Sequence, residues 1–164
     1  MRNVLMEEAW KELSSGFPWS ETLLEKHQNR VDWDKISSNN NIRWTIPMIV
    51  KFSKRINWKI FSENADEEVL TSEVIEMFKD KWDWHALSGN LDLQLSYSDL
   101  EKYADSLDWE EIISRWGNKL FDGSGIDFYE NFREYIPASK LQESSLWFEM
   151  VQQKKKSLIR DIIS

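Results

Sequence analysis

The chain has no cysteine, which excludes a disulfide framework, thiolate catalysis and cysteine-ligated zinc. Histidine is almost as scarce. His27 and His85 are the only two, and neither has a partner at His-x-x-x-His or Glu-x-x-His spacing, so nucleophilic triads and zinc sites lack their parts. His27 falls in an aromatic column and is expected to be half-buried; His85 is expected to be exposed. Glycine is rare too, and the one Gly-rich stretch is Asp122-Gly123-Ser124-Gly125. It superficially suggests a calcium or phosphate loop. It lacks the later ligands of an EF-hand, and no Gly-Lys-Ser/Thr follows, so a connector is the better reading. No window approaches the roughly 18 uncharged apolar residues of a membrane span. Glu7 and Glu8 stand where a signal peptide needs an apolar run. The expectation is a cytoplasmic protein with no cofactor, no metal and no catalytic residues.

Positive charge is also in deficit. The formal net charge is −8, which disfavours non-specific nucleic-acid binding. The charge is unevenly spread. Residues 30–62 hold seven basic and two acidic side chains, a balance of +5, whereas residues 63–114 hold three basic and fifteen acidic ones, a balance of −12. Carboxylates this dense pair at helical spacing without meaning, so Asp66-Glu67-Glu68 and Asp108/Glu110/Glu111 read as solvated faces rather than acid–base pairs.

What the chain does have is tryptophan, ten of them in 164 residues. Five recur in one column: Trp10, Trp33, Trp58, Trp84 and Trp109. The local pattern is apolar, Asp or Asn, Trp, two free positions, apolar, and usually Ser, as in Trp82-Asp83-Trp84-His85-Ala86-Leu87-Ser88. Ala138 takes the Trp position in a final, looser copy. Six residues upstream of Trp33, Trp58, Trp84 and Trp109 stand His27, Phe52, Phe78 and Tyr103, with Phe132 before Ala138. Three residues before those come Leu24, Ile49, Ile75, Leu100 and Tyr129. Two before the Trp come Val31, Ile56, Trp82 and Leu107, with Ile136 in the last copy. This spacing lines one face of a helix of about three turns.

The helix starts are marked by Ser20, Thr45, Thr71 and Ser96 as N-caps. The large apolar residue before each, Trp19, Trp44, Leu70 or Leu95, suits a hydrophobic staple. Gly125 stands in for the cap in the fifth copy. A short second helix follows each Trp and ends at Ser-x-Asn in three copies, where Asn could adopt a left-handed stop. The fourth copy has Ile113 instead of Ser and is expected to run on through Trp116-Gly117-Asn118. Eight of the ten Trp fall in core columns; only Trp116 and Trp147 do not. From Ser144 the pattern changes to one longer helix with Leu146, Trp147, Met150, Val151, Leu158, Ile159, Ile162 and Ile163, suited to covering the last apolar face of a stack.

The unit resembles short tandem Asp-Trp-x-x-Ile-Ser repeats seen in largely uncharacterised bacterial, phage and large-DNA-virus proteins. Residues 19–116 match well, 5–14 and 125–141 partly, and the C-terminal helix not at all. The resemblance implies an all-helical stacked array and transfers no active site. The expected fold is all-α, a small α-solenoid of about five units of ~25 residues with a C-terminal capping helix. It forms one domain over 1–164, with units near 1–17, 18–42, 43–68, 69–93, 94–122 and 123–143 and a terminal helix over 144–164.

Solenoids expose extended surfaces suited to macromolecules, so the expected function is non-catalytic binding of another protein, as an inhibitor or adaptor. An acidic chain suits a basic partner such as a nuclease or RNA-guided effector. A phage-borne anti-CRISPR-type inhibitor or a toxin-neutralising immunity protein would fit that class. Glu101, Asp105 and Glu111 are the candidate contacts. The alternative is RNA or DNA binding through Arg30, Lys35, Arg43, Lys51, Lys54, Arg55 and Lys59, joined by Lys154, Lys155 and Lys156.

Overall fold

The computed structural model describes every residue except Asn118. Among the described residues there are twelve helices and no strand: α1 (Arg2–Gly16), α2 (Glu21–His27), α3 (Trp33–Ser37), α4 (Ile46–Phe52), α5 (Trp58–Asn64), α6 (Ser72–Met77), α7 (Trp84–Gly89), α8 (Tyr97–Lys102), α9 (Trp109–Ser114), α10 (Gly125–Phe132), α11 (Ala138–Leu141) and α12 (Ser145–Ile163). The fold is all-helical, built from repeated pairs of short helices with a longer helix at the C-terminus. The chain divides into two compact units, Met1–Asp92 and Leu93–Ser164.

In four of the repeats both helices are started by a side chain. Ser20, Thr45, Thr71 and Ser96 accept the backbone N–H three residues on, opening α2, α4, α6 and α8. At Ser96 the Asp99 carboxylate returns the bond to the cap's own N–H, a full capping box. The residue before each Trp does the same for the second helix. Asp32, Asn57, Asp83 and Asp108 accept backbone N–H bonds from the first turns of α3, α5, α7 and α9. The Asp/Asn of the motif is thus an N-cap, satisfying donors that the helix cannot pair internally.

Five expectations are corrected. The first helix of each repeat is six to eight residues, nearer two turns than three. A single further turn carries the chain to the Trp motif, with Val31, Ile56, Trp82 and Leu107 donating back to His27, Phe52, Phe78 and Tyr103. In the fifth repeat Phe128, not Tyr129, faces the core with Phe132. The N-cap there is Ser124, with no side-chain cap bond, and Gly125 is the first helical residue. A Cβ on Gly125 would lie 3.1 Å from both Glu149 Cβ and Met150 N, so glycine is present there for close approach to α12. In the fourth repeat α9 stops at Ser114 with Arg115 extended; Asn118 lies outside the described residues. Positive φ occurs only at Gly117 and Gly123 among the described residues, so Asn39, Asn64 and Asn90 make no left-handed stop.

What Ser and Asn do instead is join layers. Ser14, Ser37 and Ser62 each donate to the carbonyl of the Trp four residues earlier, at 2.6 Å. Each also accepts the backbone N–H of the next layer's cap residue: Asp32 at 2.9 Å, Asn57 at 2.9 Å and Asp83 at 3.1 Å. Asn39 reaches back a layer to the carbonyls of Ser14 and Phe17, at 2.8 and 2.9 Å. Asn90 repeats this on Ser62 and Ala65, at 2.9 Å each. Asn64 departs from the pattern and bonds Ile60 O in its own helix. In the first unit α1 packs on α3, α3 on α5 and α5 on α7, a row of stacked layers.

The tryptophans bind the layers from the side. The indole N–H of Trp33, Trp58, Trp84 and Trp109 donates to the carbonyl five residues back, those of Gln28, Ser53, Lys79 and Ala104. The rings lie against the next layer's aromatic column: Trp10 on His27 at 5.5 Å, Trp33 on Phe52 at 5.3 Å, Trp58 on Phe78 at 5.3 Å, Trp109 on Phe132 at 5.4 Å. Of the eight expected core tryptophans, Trp19, Trp82 and Trp109 are buried, while Trp10, Trp33, Trp44, Trp58 and Trp84 are half-buried. A ring that bridges the edge between two layers keeps its outer rim in water.

In the second unit α12 packs on α10 and α9. Ser145 donates to Ile113 O (2.7 Å) and Arg115 O (2.8 Å). Asn39 and Asn90 likewise reach the Ser-position carbonyl of the layer before them, but pair it with the carbonyl three residues on rather than two. Ile113, at the Ser position, offers its carbonyl as Ser14 and Ser62 do. The terminal helix is therefore docked by the repeat's own hydrogen-bond grammar.

Candidate functional site

The acidic candidates sit on two helices of the second unit. Glu101 is exposed on α8, and Asp105 is exposed one turn later, where Ala104 N–H still bonds Glu101 O. Neither carboxylate has an ion pair among the described residues. Glu111 lies in the first turn of α9 and is half-buried, with its backbone N–H bonded to Asp108 Oδ1. The structure thus groups Glu101 with Asp105, and Glu111 belongs to a separate helix. Nearby, Glu110 is taken by Lys140 at 2.9 Å, and that bond holds the Lys140 ammonium above its usual range. Lys102, the one base between residues 93 and 114, lies over the Tyr103 ring at 5.2 Å.

All seven basic candidates of the first unit are exposed, yet three are engaged within it. Lys51 bonds Glu21 at 2.7 Å and Glu25 at 2.9 Å, tying α4 to α2. The Glu21 and then the Glu25 bond hold its ammonium above its usual range. Arg55 donates to Asn29 Oδ1 at 2.9 Å in the preceding layer. Arg30 lies over the Trp10 ring at 5.7 Å. Lys35, Arg43, Lys54 and Lys59 stand on separate elements.

Two grooves of the first unit do not concentrate positive charge. One, of about 500 Å³, has an apolar wall of Met6, Trp10 and Val31 with Glu7, Lys11, Arg30 and Asp32 around it. The other, of about 400 Å³, sets Arg43 opposite Asp66 and Glu68. Both mix signs, which a phosphate-binding channel does not. Lys154, Lys155 and Lys156 lie on α12 and are exposed.

His27 is half-buried against Trp10 and Trp19, and His85 is exposed. Among the described residues no group of three or more His, Asp or Glu side chains is placed to hold a metal ion, and no helix is long and apolar enough to cross a membrane. Asp122–Ser124 form a turn into α10, with Gly123 at φ +70°.

Sequence reasoning missed the outer face of α12. Its inner residues meet expectation: Leu146 is buried, and Trp147 and Met150 are half-buried. Val151, Leu158, Ile159, Ile162 and Ile163 are exposed instead of covering the stack. A count of residues at two helical phases, rather than one, would have separated the stripes. Trp116, outside every column, is 61% exposed.

No protein-family model matches the chain. Searches of curated proteins and of solved structures likewise find no match.

Proposed function

We propose that this chain is a non-catalytic protein-binding module, an inhibitor or adaptor whose partner presents a basic surface. The observation that carries the reading is the exposed acidic edge of α8. Glu101 and Asp105 stand in water with no ion pair among the described residues, on a backbone whose caps and interlayer bonds fix its shape. Residues 93–114 hold six carboxylates and one lysine, and Lys140 of α11 pairs with Glu110. Charge that its own fold does not neutralise steers a partner of opposite sign, raising the association rate more than the final affinity. A nuclease or RNA-guided effector has such a surface, because it must hold nucleic acid. A phage-borne inhibitor and an immunity protein are two forms the role would take.

The test is affinity capture from a host extract with the wild-type chain and with Glu101→Lys/Asp105→Lys/Glu111→Lys. A basic protein recovered by the first and lost by the second, with binding that weakens as salt rises, is the expected outcome. Equal recovery by both removes this face. RNA or DNA that binds the chain and is lost on reversing Lys35, Arg43, Lys54 and Lys59 would move the assignment to the basic segment.

A further inference from the structure

The outer face of α12 is not solvent-adapted. Phe148, Val151, Lys155, Leu158 and Ile162 follow at steps of three, four, three and four, the seam of a helix that pairs with another helix. Phe148, Val151, Leu158 and Ile162 are 46%, 42%, 48% and 80% exposed. The rotation of α12 that aims this seam outward is fixed on its other side. Gln153 donates to Gly123 O and accepts Ile126 N–H at 2.7 Å. Gly125 meets the backbone at Glu149 and Met150. At roughly 100° per residue, the seam centres opposite Leu146, Met150 and Gln153. Trp116 lies 5.6 Å from Phe148 and widens the N-terminal end of the apolar surface with an aromatic of the kind that anchors interfaces.

The charge beside the seam selects the occupant. Lys154 and Lys156 flank it and Lys155 lies within it. Residues 154–164 hold four basic side chains and one acidic, while residues 93–153 hold five basic and twelve acidic. A second copy of α12 is the wrong partner. Parallel pairing sets Lys155 on Lys155, and so does the antiparallel register that pairs position 148 with 162. Either way six lysines gather at one place, and like charges at such a seam set partner choice against self-pairing. An anionic membrane would have to bury Lys155 in the middle of the apolar stripe, beneath a chain of net charge −8 that the same surface repels.

We propose that the outer face of α12 is a docking seam for one amphipathic helix of a partner protein, whose apolar stripe is flanked by acidic side chains. This rests on the reading of the chain as a protein-binding module and adds a second surface to it, with the opposite charge preference.

The probe is a labelled synthetic helix of about three heptads with Ile at a, Leu at d and Glu at e and g, which repel self-pairing. A second peptide carries Lys at e and g. Fluorescence anisotropy with the full chain should show binding of the Glu peptide and not of the Lys peptide, with helix gained by circular dichroism. Leu158→Asp/Ile162→Asp should weaken binding by about tenfold or more at an unchanged Tm, since both sites are exposed. Lys154→Glu/Lys155→Glu/Lys156→Glu should transfer preference to the Lys peptide.

Failure of the Glu peptide to bind, or binding untouched by these variants, overturns the seam. Adsorption to phosphatidylglycerol vesicles in place of the Glu peptide overturns it in favour of a membrane. Dimerisation abolished by Leu158→Asp/Ile162→Asp overturns it in favour of a second copy. The Glu101→Lys/Asp105→Lys/Glu111→Lys chain should still bind the peptide, so the seam and the acidic edge of α8 fail independently.

Discussion

Replacing Ser37 by Ala tests the joint between layers. Ser37 is 2% exposed. Its hydroxyl donates to Trp33 O at 2.6 Å and accepts Asn57 N–H at 2.9 Å. The donation is expendable, because helix carbonyls already have a backbone partner. The acceptance is not: Ser37→Ala leaves the Asn57 N–H partly buried and without its acceptor, a cost of about 1–3 kcal/mol. Alanine's better helix propensity returns about 0.5 kcal/mol. The net loss is about 0.5–2.5 kcal/mol, which for a chain of this length lowers Tm by about 1–10 °C.

The molecule supplies its own control next door. Among the described residues the Ser38 hydroxyl bonds Asp34 O and Lys35 O within its own turn and nothing in another layer, so Ser38→Ala should change Tm by no more than about 1–2 °C. Amide hydrogen exchange gives the local readout. Asn57 should lose protection in Ser37→Ala and keep it in Ser38→Ala. Equal Tm values for the two variants, or unchanged protection at Asn57, would refute the claim that serine is the layer joint.

Three further outcomes follow from the geometry. Gly125→Ala should destabilise by about 1–3 kcal/mol, because its Cβ would meet α12 backbone at 3.1 Å; Gly16→Ala, with nothing within 4 Å, should be neutral or stabilising by up to about 1 kcal/mol, both read from thermal melts. Trp82 and Trp109 are almost equally buried, but the Trp82 indole N–H has no hydrogen-bond partner among the described residues while that of Trp109 bonds Ala104 O. Trp82→Phe should therefore cost less than Trp109→Phe, by about 1–3 kcal/mol in urea unfolding. Burial, and then the bond to Asp127 Oδ2 at 2.9 Å, raise the Tyr97 phenol above its usual value of 10. The folded state therefore holds that proton longer than the unfolded state does. Its stabilisation is complete below pH 10 and falls as pH rises through the folded pKa. Tyr97→Phe should flatten this alkaline loss, followed by phenolate absorbance and by stability at each pH.

The sequence by itself determined that the fold is helical and where its repeats lie. Local chemistry is legible in order along the chain: a Ser or Thr that can cap, an apolar residue before it, a 3–4 spacing behind it. The first-helix caps read from Ser20, Thr45, Thr71 and Ser96 all form. The Asp or Asn before each Trp carried the same signal, but the adjacent indole drew the reading toward packing. The acidic edge at Glu101 and Asp105 was legible as charge, because exposed charge needs no partner to be seen.

Only the tertiary structure decided what crosses between layers. Ser14, Ser37 and Ser62 accept from backbone N–H donors 18 to 21 residues away, and no local pattern carries a contact of that range. The half-burial of the Trp column, the close approach at Gly125 and the engagement of Lys51 by Glu21 and Glu25 have the same origin. In α12 the sequence places apolar residues at two helical phases. Which one faces inward was settled by Ser145, Gln153 and Gly125 acting on another helix, because a helix has no inside until something packs against it.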